Sequence, residues 1–430
     1  MASLLCTLLL ASSGASALAL PDAHFDEPLI AKRSIPLTHA KAPADLLSRR
    51  SNAVKRSGNE ATVLNSQEYI YAIEAQVAGD DVLLMLDTGA DSTWVTGKGF
   101  KCTDPAGNER PQNGSAGGCP YYATDRTTFS GGLAGEPDFN VPIGGMWVHG
   151  PVGYDAWNLA GVTVQKQKFV IADSLNNTQT QDAKPIAGIL GLSPGGPYTF
   201  QGKLNNFSSF VRTAHQEGAL PAEVFGLALD LFTDYRVSDM KPGGVLALGG
   251  APPEIPTTGS WAVAPVGVDQ VGNTGKAFWD IQVDGYTVKT RDNPQGTYFP
   301  WTYQVQGFPY IPLVDTGTSS NLFIDDVYNN LIKTWDPAPS TASDGSSVVP
   351  CNATFYGISF RFGGVDIEIA RETEVQLSAP YPPGDNLCYM FTFSAGTRGG
   401  IFGAPFLRNT VSVFDSTPGK ENVQFKKRVR

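Results

Sequence analysis

Two short segments of the sequence carry residues that can act together as an acid and a base. Asp87-Thr88-Gly89 follows the apolar run 82–86, and Asp315-Thr316-Gly317 follows a second apolar run at 310–314. Each segment predicts a strand that delivers a carboxylate to a tight turn. Two carboxylates held a few ångströms apart share one proton, so one can activate a water while the other protonates a carbonyl oxygen. Such a pair would hydrolyse peptide bonds without a metal, a cofactor or a covalent intermediate.

The two motifs belong to an internal duplication. Each half contains, after its D-T-G motif, an apolar segment that includes glycine, at 186–192 in the first half and at 400–406 in the second. Because the order is the same in both halves, we predict two related lobes whose turns meet on a common axis. Across that axis Thr88 and Thr316 are expected to exchange hydrogen bonds. Gly89 and Gly317 would let the backbone approach the carboxylates.

The position after each D-T-G motif differs between the halves. The second motif is followed by Thr318, which has a hydroxyl, and the first by Ala90, which has none. With fewer donors near Asp87, its charged form is less favoured. We therefore predict activity that extends towards weaker acid.

Composition indicates an all-β protein with few possible partners. The 430 residues include 47 Gly and 31 Pro and only 17% charged residues, which favours short strands joined by turns. The segment up to Arg56 carries 7 basic and 4 acidic residues, so the formal charge changes from −10 for the whole chain to −13 for the remainder. Nucleic acids and anionic membranes need clustered Lys and Arg, so neither is an expected partner.

The amino-terminal segment predicts secretion. An interrupted apolar stretch ends in small residues near Ala19, as in a signal peptide, which we assign to residues 1–19. Residues 20–56 are basic and contain three dibasic pairs, which indicates a propeptide processed after Arg56. A flexible linker is the alternative. The carboxyl end shows no hydrophobic tail, so we expect an extracellular protein without a membrane anchor, with a vacuolar location as the alternative.

Cysteines and glycosylation motifs agree with a secretory route. Removal of the leader leaves four cysteines, and sequence proximity favours Cys102 with Cys119 and Cys351 with Cys388 among three possible pairings. No zinc-site spacing is present, so we expect no metal. Four N-x-[ST] motifs are candidate glycosylation sites: Asn113, Asn176, Asn206 and Asn352.

Taken together, the paired motifs resemble the pepsin-like aspartic endopeptidases, especially secreted fungal zymogens. The resemblance covers nearly the whole chain and implies a bilobal double β-barrel with pseudo-twofold related lobes, at 57–238 and 239–430, and a central cleft. It implies that Asp87 and Asp315 are catalytic and that Trp94 is the tryptophan after the first motif. It further implies a monomer that cleaves proteins or peptides between bulky apolar residues and binds pepstatin-like inhibitors.

One element departs from the family pattern. The family carries a Tyr-Gly turn in a hairpin over the cleft, and that pattern aligns with Ile143, Gly144 and Gly145, so the tyrosine is missing. Tyr154 or Trp147 could substitute if the loop is shifted. An acidic residue that some fungal members carry there, associated with Lys before the cleaved bond, aligns with Gly145 and is absent. A secreted binding protein of the same fold, with weak or lost activity, is therefore the alternative function.

Two other features have plainer interpretations. The segment 191–195 formally matches the G-x-S-x-G turn of serine hydrolases, but its Pro and Gly residues oppose the helix that this turn requires, and a suitably placed His is absent. The aromatic pair Tyr121-Tyr122 is expected to pack in the core or anchor a loop, with contact to substrate as the alternative.

Overall fold

The computed structural model describes residues 60–66, 70–111, 119, 121–143, 146–177, 186–200, 203–231, 241–269, 274–342, 346–375, 386–396 and 400–429. Strands dominate these residues, so the all-β class predicted from composition is confirmed. The helices in the described part of the chain are short: α1 (Phe210–Gln216), α2 (Asp325–Leu331), α3 (Arg371–Glu374), α4 (Ala404–Leu407) and a 3₁₀ turn (Ile332–Thr334).

The strands fall into two series that follow the two halves of the sequence. The first series is β1 (Glu60–Ser66), β2 (Ile70–Val77), β3 (Asp80–Asp87), β4 (Trp94–Thr103), β5 (Phe139–Ile143), β6 (Met146–Gly150), β7 (Val152–Leu159), β8 (Val162–Asn177), β9 (Gly188–Gly191), β10 (Tyr198–Phe200), β11 (Lys203–Asn205), β12 (Val224–Leu229) and β13 (Lys241–Leu248). The second series is β14 (Thr257–Pro265), β15 (Gly285–Val288), β16 (Thr297–Pro300), β17 (Gln304–Val305), β18 (Phe308–Pro309), β19 (Leu313–Val314), β20 (Asn321–Phe323), β21 (Trp335–Asp336), β22 (Ser340–Thr341), β23 (Ser347–Pro350), β24 (Thr354–Phe355), β25 (Ile358–Phe362), β26 (Val365–Glu368), β27 (Leu387–Tyr389), β28 (Thr392–Ser394), β29 (Ile401–Phe402), β30 (Thr410–Asp415) and β31 (Asn422–Arg428).

The first lobe is built around a closed ring of strands. Hydrogen bonding runs in the order β2, β3, β9, β4, β8, and β7 pairs with both β8 and β2, which completes the ring. The strands that enter it are apolar on the inward face, as in β3, where Val82, Leu84 and Leu86 are buried. Closure removes exposed strand edges and gives the lobe a rigid frame.

The second lobe repeats the central part of this pattern. In the first lobe β3 pairs with β9 in parallel, β9 with β4 antiparallel, and β4 with β8 in parallel. In the second lobe β19, β29, β20 and β28 pair with the same sequence of directions. The duplicated motifs thus correspond to duplicated topology.

A layer of six antiparallel strands joins the lobes. Its order is β14, β31, β30, β12, β13, β1, so that β12 from the first series pairs directly with β30 from the second. Phe225 of β12 and Phe414 of β30 stack with ring centroids 4.7 Å apart, and Trp279 packs edge-on against Phe414. The predicted lobe boundary at 238/239 lies outside the described residues, and the division into 57–238 and 239–430 stays a prediction.

Candidate active site

The two aspartates end equivalent strands. Asp87 is the last residue of β3, and its carbonyl accepts a hydrogen bond from Leu192 N at 2.8 Å, just beyond β9. Asp315 directly follows β19, and its N–H donates to the carbonyl of Phe402 in β29 at 3.0 Å. In both lobes the apolar glycine-containing segment therefore fixes the backbone of the strand that carries the carboxylate.

The two turns are joined by four reciprocal hydrogen bonds. Thr88 N donates to Thr316 Oγ1, and Thr316 N donates to Thr88 Oγ1, both at 3.0 Å. Each threonine hydroxyl in turn donates to the opposite strand, Thr88 to the carbonyl of Val314 at 2.9 Å and Thr316 to that of Leu86 at 2.7 Å. Because both threonines are buried, these bonds are shielded from water and hold the turns at a fixed separation.

Close packing explains why glycine stands at the third position of each motif. A Cβ added at Gly89 would lie 2.5 Å from Asp315 Cγ, and one added at Gly317 would lie 2.6 Å from Asp87 Cγ. Each glycine thus lies against the carboxyl group of the other lobe. Each also donates its N–H to its own aspartate, Gly89 to Asp87 Oδ1 at 2.9 Å and Gly317 to Asp315 Oδ1 at 2.7 Å. The structure therefore brings the two carboxyl groups together.

The environment of the pair favours a shared proton. Asp87 is 7% exposed and Asp315 is 8% exposed. Burial, the charge of Asp315 and a hydrogen bond between the carboxyl groups raise the pKa of Asp87 well above its usual value, against the opposing effect of the N–H groups of Gly89 and Ala90. One proton held between two carboxyl groups is the state that general acid–base hydrolysis needs.

The hydroxyl asymmetry seen in the sequence is present in the structure. Thr318 Oγ1 donates to Asp315 Oδ2, whereas Ala90, buried beside Asp87, has no hydroxyl to donate. Asp315 therefore receives one more side-chain donor than Asp87. This difference favours the proton on Asp87.

Ala90→Ser should shift the pH profile of the reaction. A hydroxyl placed as in Thr318 stabilises the charged form of Asp87 and lowers its pKa, so both limbs of kcat/KM against pH should move to lower pH by about 0.5 to 1 unit. Thr318→Ala is the matched reverse change, and it should move the limbs upward. A profile that is the same in all three proteins would contradict this assignment.

The hairpin predicted next to the cleft forms, but its tip lies outside the described residues. Strands β5 and β6 pair in register, with Ile143 opposite Met146; Gly144 and Gly145 belong to the part not described. Trp94 is fully buried, and its Nε1 has no hydrogen-bond partner among the described residues. Trp147 does not take the role of the missing tyrosine at Trp94, because it is 46% exposed, on the face of β6 opposite to buried Met146.

Tyr154 lies on a strand of the closed ring rather than in the hairpin. It is half-buried in β7, opposite Lys168 of β8. Sequence analysis missed the residue that does contact Trp94, which is Tyr121, at a ring-centroid distance of 4.8 Å. The aromatic pair at 121–122 was its only signal in the sequence.

The cysteines form the two pairs that sequence proximity favours, Cys102–Cys119 and Cys351–Cys388. Each disulfide closes a loop within one lobe. Candidate glycosylation sites Asn206 and Asn352 are exposed, while Asn176 is half-buried in β8. Asn113 and the processing site at Arg56 lie outside the described residues.

Two other features are absent from the described residues. No group of three or more His, Cys, Asp or Glu side chains is arranged to hold a metal ion there. Within the same residues, no helix has the length and apolarity needed to cross a membrane.

A bilobal β fold with facing D-T-G turns defines the aspartic-type endopeptidases. A family profile described as eukaryotic aspartyl protease matches residues 68–427. The chain belongs to this family, as its motifs indicated.

Individual relatives support this assignment at low identity. A probable aspartic-type endopeptidase of Aspergillus fumigatus is 25% identical over 370 residues, covering 85% of this chain and 80% of the relative. Aspergillopepsin-1 of Aspergillus flavus is 24% identical over 390 residues, covering 90% and 84%, and mucorpepsin of Rhizomucor miehei is 25% identical over 365 residues, covering 81% and 76%. The solved structure of an aspartic proteinase from Irpex lacteus matches with a TM-score of 0.62 at 16% identity over 86% of this chain and 97% of that one, which shows the same fold.

Proposed function

We propose that this aspartic endopeptidase hydrolyses proteins and peptides at acidic pH with Asp87 and Asp315 as its catalytic pair. The observation that carries the proposal is the reciprocal bonding of Thr88 and Thr316, which sets the two carboxyl groups against each other. Both aspartates come from one chain, so a monomer contains a complete pair. No other protein or cofactor is needed for the chemistry.

In the proposed reaction each carboxyl group acts once as a base and once as an acid. Ionised Asp315 takes a proton from a water, whose oxygen attacks the peptide carbonyl carbon, while protonated Asp87 donates its proton to the carbonyl oxygen. The tetrahedral product then collapses: a hydroxyl proton returns to the ionised aspartate, the other carboxyl group protonates the leaving nitrogen, and the C–N bond breaks. The products are a carboxylic acid and an amine, and the pair again holds one proton.

We infer a preference for bulky apolar residues on both sides of the cleaved bond. The support comes from the hairpin sequence, where Gly145 stands at the position of the acidic residue linked to lysine recognition. A peptide-library digest at about pH 3 to 6 should give cleavage mainly between apolar residues, and pepstatin should block it. Dominant cleavage after Lys or Arg would contradict the preference.

The alternative function, a binding protein with weak or lost turnover, is favoured by one observation. The indole N–H of Trp94 is buried without a partner in the described part of the chain. The hydrogen bond that the hairpin tyrosine would make to this tryptophan is therefore absent among these residues. Correctly folded, processed protein that leaves the whole library uncut would support the alternative. Cleavage that pepstatin blocks and that reaches an ordinary enzymatic kcat of about 1 to 10³ per second would exclude it.

We also propose that the chain is secreted as a zymogen and glycosylated. Two disulfides fit an oxidising compartment. The basic segment 20–56 complements the acidic remainder of the chain, so it can cover the cleft at neutral pH and be released when carboxylates become protonated. Amino-terminal sequencing of protein from the culture medium should give Ser57, and glycosidase treatment should lower its mass.

A further inference from the structure

An aromatic hydroxyl lies beneath the β5–β6 hairpin on the side of the first aspartate. Tyr121 is 4% exposed, and its ring packs edge-on against the buried indole of Trp94. Its backbone bridges in parallel to Ile186, in the apolar segment that leads into β9. Tyr121 is therefore fixed at its backbone and at its ring by the same frame that carries Asp87.

The hydroxyl of Tyr121 connects this frame to the hairpin. It donates to Met146 Sδ at 3.5 Å, and Met146 is the first residue of β6, directly opposite Ile143. Met146 is itself 5% exposed, so the contact is shielded from water. One side chain thus contacts both Trp94 and the strand that returns from the hairpin tip.

The negative charge of Asp87 also acts on Tyr121. Burial and, next, the negative charge of Asp87 raise the pKa of Tyr121. The phenol therefore stays protonated at every pH at which an acid endopeptidase works. It remains a hydrogen-bond donor throughout the catalytic range.

We propose that Tyr121 is a positioning residue that, through Met146 and Trp94, holds the β5–β6 hairpin in its working position relative to Asp87. This proposal rests on the proposed function of Asp87 and Asp315. In the family pattern, the aromatic hydroxyl next to this tryptophan comes from the hairpin itself. Ile143 has no hydroxyl; here the ring of Tyr121 packs against Trp94, and its hydroxyl donates to Met146 of the hairpin instead.

The hydrogen bond from the Tyr121 hydroxyl to the Met146 thioether is weak, so its loss should affect turnover without unfolding the protein. A thioether is a poor acceptor, so removal of the hydroxyl should cost little folding free energy. Backbone pairing with β8 holds β6 from Met146 to His149, so the Tyr121 hydroxyl acts only where the hairpin leaves this ladder, at Met146. A change that removes only the oxygen should therefore lower turnover while the protein stays folded.

Tyr121→Phe tests the proposal with the processed enzyme and an apolar peptide substrate. We expect kcat to fall about tenfold, with KM changed less than twofold and the thermal midpoint nearly unchanged. Tyr122→Phe is the matched control: it removes the neighbouring hydroxyl, which accepts from Leu83 N. The control should keep the wild-type kcat.

Ile143→Tyr provides the decisive comparison. In the Tyr121→Phe background it returns a hydroxyl from the hairpin, so it should restore most of the lost kcat; in the wild type it should change kcat little. Equal effects in both backgrounds, or wild-type kcat in Tyr121→Phe, would overturn the proposal. An inactive wild type would instead count against the proposed function, so the two failures are distinguishable.

Discussion

Asp87→Asn should reduce peptide hydrolysis by at least about 10³-fold while the protein stays folded. The amide cannot share or transfer the proton that the pair uses, and general acid–base catalysis contributes about 10²- to 10⁴-fold. The reciprocal bonds between Thr88 and Thr316 do not involve the carboxyl group, so the turns should keep their geometry. The measurement is kcat/KM on a quenched peptide at about pH 4, with circular dichroism as the check on folding.

Two further variants sharpen this test. Asp315→Asn should cause a loss of similar size, and the double variant should be hardly worse than either single one, because the two carboxyl groups act as a unit. Asp91→Asn is the matched control: Asp91 is a buried carboxyl with a raised pKa, but its oxygens accept from Ser92 and Tyr198. The kcat/KM of Asp91→Asn should fall by less than about tenfold. Asp87→Asn protein that keeps one tenth of wild-type activity would contradict the assignment.

The proposed catalytic pair and the residues that support it are predictable from the sequence because the duplication repeats them. Asp87 and Asp315 each follow an apolar strand and precede an apolar glycine-containing segment, and the observed pairing of β3 with β9 and of β19 with β29 follows that order. Beside a carboxylate, the threonine of the motif can donate a hydrogen bond and the glycine lets the backbone approach closely. The local pattern and its repetition were therefore enough to predict the pair and its supporting residues.

Tyr121 could not be assigned in this way. It acts through Trp94 and Met146, which come from other strands, and an aromatic pair in a sequence indicates packing more often than function. The pairing of β12 with β30 was equally hidden, since it joins residues almost 200 positions apart. Such long-range contacts depend on how the lobes assemble, which no local pattern encodes.

Glu374 shows how a local pattern can point in the wrong direction. Arg371, Glu372 and Glu374 form a charged run typical of a solvent-exposed helix. In the structure Glu374 is 1% exposed. Its oxygens accept from Asn321 Nδ2 at 3.2 Å and Thr392 Oγ1 at 2.7 Å.

The contacts of Asn321 connect this carboxyl group to the segment of the second lobe that lies beside Asp315. Asn321 Oδ1 accepts from Gly403 N at 3.1 Å and Phe406 N at 3.3 Å, in the segment that follows β29. Glu374 thus lies behind the strand that fixes the backbone of Asp315. Its protonation state therefore bears on the stability of this region.

The protein should become less stable as the pH rises because Glu374 is buried in its protonated form. Burial raises its pKa from 4.5 to about 7, despite hydrogen bonds from Thr392 and Asn321 and the charge of Arg408, which lower it. A carboxyl group with a raised folded-state pKa stabilises fully below its unfolded pKa and loses that contribution as the pH rises through the folded one. Burial also raises the pKa of Asp280 to about 7. Stability should fall between about pH 4.5 and 7.

Glu374→Gln should remove a large part of this loss. Glutamine keeps the shape and one carbonyl acceptor but does not ionise, so the variant should resemble the wild type at pH 4. At pH 7 to 8 it should be more stable by about 3 kcal/mol, the free energy that corresponds to moving the pKa from 4.5 to about 7. Urea unfolding midpoints at pH 4, 5.5 and 7.5 measure this, with every protein in an Asp315→Asn background to prevent self-digestion.

Glu368→Gln gives the control of opposite sign for this stability test. Lys427 donates to Glu368 and lowers its pKa, so this carboxylate stabilises the fold above its unfolded pKa and loses that contribution in acid. Its replacement should cost a little stability at pH 7.5 and nothing near pH 3, because the pair is partly exposed. If the stability of Glu374→Gln instead falls between pH 4.5 and 7 as much as that of its parent, burial of Glu374 does not cause the loss at neutral pH. The remaining buried carboxyl groups would then cause the lower stability at neutral pH. Asp280→Asn is the variant that tests one of them.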